Sequence, residues 1–212
     1  MPMKTDREYR NMTMEIRSAE APDQEERMIV RGYASTFNEP YTLYEDEDWQ
    51  FNEVVDGNAF ANTDMSDVIM QYDHEGRVFA RISNNTLTVT PDEKGLLIEA
   101  DLGGTELGRQ LYEEIRGGYT NKMSFGFTVD GDDIEDRKSE DGRTITTRTI
   151  TSVRKLYDVS AVSLPANDAT SISVRSLTDG EIERIQAERL EAEKLELRRR
   201  KLLARAKLNG GQ

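Results

Sequence analysis

The apolar positions of this chain fall in short runs, most with the two-residue period of a half-buried strand. Residues 28–34 form the first run, closed by Asn38-Glu39-Pro40. Residues 43–57 are acidic but carry Trp49, Phe51, Val54 and Val55. Residues 67–72 read as a buried strand leading into the polar turn Asp73-His74-Glu75-Gly76. Two further strands follow at 78–82 and 86–90. Pro91-Asp92-Glu93-Lys94-Gly95 then turns the chain into a returning strand over 96–102. Over 105–116 the period changes. Leu107, Leu111 and Ile115 are four apart, the single stripe of an amphipathic helix, and Gly117-Gly118 stops it. A strand resumes at 122–129. Residues 130–143 are acidic, polar and Gly-containing, and read as a long hairpin loop with 144–153 as the return strand. Residues 156–164 alternate up to Pro165-Ala166-Asn167, and Ile172 and Val174 suggest a last short strand.

Both ends differ from this body. Residues 1–26 are polar, include Pro2 and Pro22, and read as a flexible N-terminal tail. From Leu177 the composition shifts. Thr178 and Glu181 match a capping box, and residues 179–207 are rich in Glu, Arg, Lys, Leu and Ala. That predicts a long charged C-terminal helix. Its Leu190/Leu197 and Leu195/Leu202 pairs form two imperfect seams, so it reads as a solvated or partner-docking helix and not a coiled coil. The organisation expected is a tail over 1–26, a folded domain over 27–176 and a helix over 177–212. The fold class expected is α+β.

Charge and residue counts then prune the chemistry. The chain has 41 Asp and Glu against 28 Lys and Arg, a net charge of −13, which argues against a phosphate-backbone partner and so against nucleic acid. No run approaches the roughly 20 apolar residues of a spanning helix, so no membrane partner is expected. The absence of Cys removes thiolate nucleophiles, disulfides and Cys-based zinc sites. A single His removes the two-imidazole zinc motif on a helix. Asp130-Gly131-Asp132-Asp133 lacks the ligand spacing of a calcium loop, and no metal or cofactor is expected. Any imidazole base here is His74.

Serine attack on an amide needs a base for the hydroxyl, an acceptor that orients the base, and donors for the oxyanion. Three residues can enter such a scheme. His74 sits in a polar turn after an apolar strand, where a ring can face a cleft from a rigid support. Ser124 shares a strand face with Gly126, leaving room for a substrate carbonyl, while Met123, Phe125 and Phe127 take the other face. Asp158 lies on an otherwise apolar strand and needs a partner, for which an imidazole N–H is suited. Taken singly, each has an ordinary reading: a surface turn histidine, a solvent-facing strand serine and a strand-edge carboxylate.

Together, the segments around these residues resemble the tailed-phage prohead protease family. These are capsid-maturation serine peptidases similar in fold to herpesvirus assemblin. The resemblance is carried by Arg31-Gly32-Tyr33-Ala34 with Phe37-Asn38, by residues 68–74, by Gly95-Leu96-Leu97-Ile98, by Gly117-Gly118-Tyr119 with residues 123–127, and by residues 156–167. It spans roughly residues 28–176, about one domain. It implies His74 as general base and Ser124 as nucleophile. Asp158 matches the position where the family usually has Glu, and so takes the orienting role; Asp73 is the competing acid. The implied fold is a small, mostly antiparallel β-barrel flanked by helices. The implied function is serine endopeptidase cleavage of capsid or scaffold protein in the host cytoplasm, inside the assembling prohead. Its partners would be the major capsid protein and its scaffold segment, with a possible homodimer. The alternative is a non-catalytic module of the same fold that binds scaffold or capsid.

Overall fold

A computed structural model of the chain describes residues 7–12, 17–18 and 27–163, and six single positions between 187 and 198. The strands are β1 (Glu8–Met12), β2 (Arg17–Ser18), β3 (Ile29–Thr36), β4 (Tyr41–Glu45), β5 (Trp49–Val55), β6 (Ile69–Tyr72), β7 (Glu75–Arg81), β8 (Leu87–Pro91), β9 (Gly95–Asp101), β10 (Lys122–Lys138) and β11 (Thr144–Val162). One α-helix, α1 (Glu106–Arg116), stands between β9 and β10. The chain divides into two compact units, Met1–Thr170 and Ser171–Gln212, and all of these elements lie in the first.

Two sheets carry the fold. One runs β2-β3-β9-β8 and is antiparallel throughout. The other runs β1-β10-β11-β5-β4, with β6 also on β11 and β7 on β6. Its long strand β11 takes two parallel neighbours in succession: β5 along Thr144–Ile150 and β6 along Asp158–Ala161. The core draws Val30 and Ile98 from the first sheet, Met70, Phe125 and Val159 from the second, and Leu111 and Ile115 from α1. The helix begins at Thr105, whose Oγ1 accepts a hydrogen bond from the Gly108 N–H at 2.9 Å. Leu111 and Ile115 are buried as the stripe predicts, but Leu107 is largely exposed. Gly118 closes the helix with a positive φ of 77°.

Three expectations are corrected. The α+β barrel flanked by helices is instead a mostly β architecture of two sheets that do not close into a barrel. α1 is the one α-helix with described bounds, and the long C-terminal helix is not borne out. Most of 177–212 lies outside the described residues, as do Ile172 and Val174. Second, residues 130–143 are not a long loop. β10 runs to Lys138 and only a tight turn precedes Thr144, with the Ser139 N–H donating to the Arg143 carbonyl at 2.9 Å. The acidic residues find partners across the hairpin: Asp132 accepts from Arg148 at 2.7 Å and Asp136 from Thr146 at 2.5 Å. The Thr- and Ile-rich return strand supplies the β-branched residues. A linear reading sees polarity there and misses cross-strand pairing. Third, residues 1–26 are not wholly a tail, because Glu8–Met12 is an edge strand antiparallel to β10.

Candidate active site

His74 stands at a hairpin turn of two residues. Tyr72 pairs with Glu75 across it, and Asp73 and His74 have φ of 48° and 61°. Two successive positive φ values are what a type I′ turn requires. For a residue with a Cβ this conformation costs roughly 1 kcal/mol. The turn is clamped to β11. The Asp73 N–H donates to the Ala161 carbonyl at 3.0 Å, and the Asp73 carboxylate accepts from the Ser163 N–H and hydroxyl, both at 2.9 Å. Asp73 therefore serves the turn and not the imidazole.

Ser124 lies near the start of β10, between β1 and β11, opposite Asn11 on one side and Ser160 on the other. Its side chain is fully buried. Asp158, also fully buried, faces Gly126 across the β10–β11 ladder. The β6–β11 pairing brings the His74 turn above this face.

The structure brings the three predicted residues into one hydrogen-bonded run. His74 Nδ1 lies 2.5 Å from Asp158 Oδ1, and His74 Nε2 is in hydrogen-bond contact with Ser124 Oγ. A carboxylate only accepts, so Nδ1 carries the proton and Nε2 turns its lone pair to the hydroxyl. Asp158 has two further donors. Ser160 Oγ donates to Oδ1 at 3.1 Å and Arg7 to Oδ2 at 2.7 Å. These partners compensate its complete burial.

Gly126 is required where it stands. An added Cβ would lie 2.5 Å from Asp158 Oδ2 and 2.8 Å from the Tyr9 ring. Tyr9 in turn packs edge-on against His74, with centroids 4.5 Å apart.

The other face of β10 carries a buried ionic cluster. Arg10 donates through Nε to Glu53 Oε1 at 2.5 Å and through Nη2 to Oε2 at 2.8 Å. Glu53 is fully buried, and it also accepts from Arg148 at 2.9 Å and from the Tyr41 hydroxyl. Glu8 joins through Arg148 at 2.8 Å and through Arg10. Burial pushes the Glu8 carboxyl up, but the Arg148 hydrogen bond and the Arg10 and Arg148 charges outweigh it and hold it below the usual range. Burial and the Glu53 charge push the Tyr41 phenol well above its usual range.

Sequence reasoning missed Arg7, Tyr9 and Ser160. Ser160 shares the strand face of Asp158, and that alternation was its signal. Arg7 and Tyr9 sit in a polar stretch with no apolar period. Among the described residues no group of three or more His, Asp and Glu is set to hold a metal ion, and no helix is long and apolar enough to cross a membrane.

Fold and site thus define a β-rich protein with a serine, a histidine and an aspartate in hydrogen-bonded series. Among known families, residues 12–184 match the caudovirus prohead serine proteases, and the chain belongs to that family of phage capsid-maturation enzymes. Searches of curated proteins and of solved structures gave no match.

Proposed function

We propose that this chain is a serine endopeptidase acting through Ser124, His74 and Asp158. The observation that carries this reading is the unbroken series from Asp158 Oδ1 through the imidazole to Ser124 Oγ. Ser124 Oγ attacks the scissile carbonyl while His74 Nε2 takes its proton. The same nitrogen returns that proton to the leaving amine, and a water then hydrolyses the acyl ester with His74 again as base. Asp158 holds the Nδ1–H tautomer and stabilises the imidazolium as it forms. Ser160 positions both partners, lying 3.2 Å from His74 Nδ1.

The substrate proposed is the major capsid protein or its scaffold segment, cut inside the assembling prohead; the match to the prohead protease family supports this. The test is co-expression with the capsid precursor, read by mass spectrometry of the fragments. Ser124→Ala is expected to leave the precursor intact, a loss on the order of 10⁶-fold in turnover by comparison with other serine peptidases. Identical fragments from wild type and Ser124→Ala would refute the assignment.

A further inference from the structure

Every member of the Ser124–His74–Asp158 series is touched by the segment at 7–10. The Arg10 carbonyl oxygen lies 2.9 Å from Ser124 Oγ, the Tyr9 ring rests on His74, and Arg7 grips Asp158 Oδ2 at 2.7 Å. Arg7 is itself stacked over Tyr157, 4.1 Å from the ring centroid. β1 pairs antiparallel with the strand of the nucleophile, with Asn11 opposite Ser124. It therefore lies where an extended peptide would add to the β10 edge with a peptide bond beside the serine. The Arg10 carbonyl oxygen competes with His74 Nε2 for the single Ser124 hydroxyl proton, so the oxygen and not the carbon faces the nucleophile. This is the contact of a resident strand that is held uncut. Beyond that carbonyl, the Arg10 side chain fills a seat whose floor is the fully buried Glu53. When β1 leaves, Arg10 and Glu8 leave with it, and Glu53 keeps Arg148 and Tyr41 but loses the cation that held both of its carboxylate oxygens at the edge.

We propose that residues 7–12 are an internal pseudosubstrate. They occupy the strand track on which the protein substrate binds, and Glu53 selects a basic side chain, arginine or lysine, in the substrate strand. This rests on the serine peptidase reading above. Turnover requires that β1 be displaced by an incoming strand of the same pattern. The enzyme's reactivity is then scaled by the fraction of molecules in which the edge is open.

The probe is a fluorophosphonate that labels the active serine, read by intact mass on the full chain, with Ser124→Ala as control. The full chain is expected to label slowly, and the Arg7→Ala/Tyr9→Ala variant about tenfold faster or more, through a larger open fraction. A peptide of this chain's residues 5–14, added to that variant, should slow labelling again. Its Arg10→Lys version should act similarly, and its Arg10→Glu version should need about tenfold more peptide. If the double variant does not fold by circular dichroism, Arg7→Ala alone carries the same comparison. Equal labelling of wild type and variant would overturn the pseudosubstrate while leaving the reactive serine intact. Equal competition by the Arg and Glu peptides would overturn the Glu53 seat. No labelling of any form would mean that the peptidase reading had failed, and this proposal with it.

Discussion

A type I′ turn favours Asn-Gly or Asp-Gly, yet the β6–β7 hairpin carries Asp73-His74. Glycine at 74 would suit the backbone better, so the imidazole is held there against a local preference. Backbone cost of this kind collects at functional sites. Gly126 shows the opposite fit, a residue without a side chain because Asp158 and Tyr9 fill the space. Gly126→Ala is therefore expected to destabilise the fold by about 1–3 kcal/mol through overpacking. Urea denaturation checks this, and an unchanged midpoint and slope would contradict it. That His74, Ser124 and Asp158 belong together was legible in the sequence through the order of their flanking segments, although each alone was ordinary, and the structure brings the three side chains into contact. Strand alternation already counted against the competing acid, Asp73, and its hold on Ser163 accounts for its carboxylate. Ser160 was half legible, on the right strand face but without a stated partner.

Among the elements, the helix and the inner strands were legible because their apolar periods differ and glycines or prolines punctuate them. β1 was not. Its burial comes from ion pairs, Glu8 and Arg10 with Glu53 and Arg148, and such pairing leaves no apolar stripe to read. The polar half of the β10–β11 hairpin was missed for a related reason, since cross-strand partners are distant in order. The Glu8 site also gives β1 a pH signature. Its carboxyl is held below its usual value of 4.5 in the folded chain, so the unfolded state takes up a proton first as pH falls. The contribution of Glu8 to docking is complete above that value and is lost as pH drops through the lowered one. Hydrogen exchange, corrected for intrinsic rates, should show β1 protection that is flat across neutral pH and falls only below about pH 4.5. Protection lost already near pH 6 would contradict the assignment.

At the scale of the whole molecule, β11 organises the candidate site. One 19-residue strand accepts β10 on one edge and β5 and then β6 on the other. Its inner half thereby brings the His74 turn and the Ser124 strand to Asp158. The expected barrel failed because such a shared strand branches a sheet instead of closing it. The site was nevertheless reached, since it depends on that inner half and not on closure. The central claim is that one imidazole, with no second histidine in the chain, runs the proteolysis. His74→Gly tests it most directly, because glycine suits the turn and keeps the backbone. The measurement is the mass of the capsid precursor after co-expression with this variant. The account predicts intact precursor beside a folded protein, where wild type gives fragments. Fragments equal to those of wild type would contradict it.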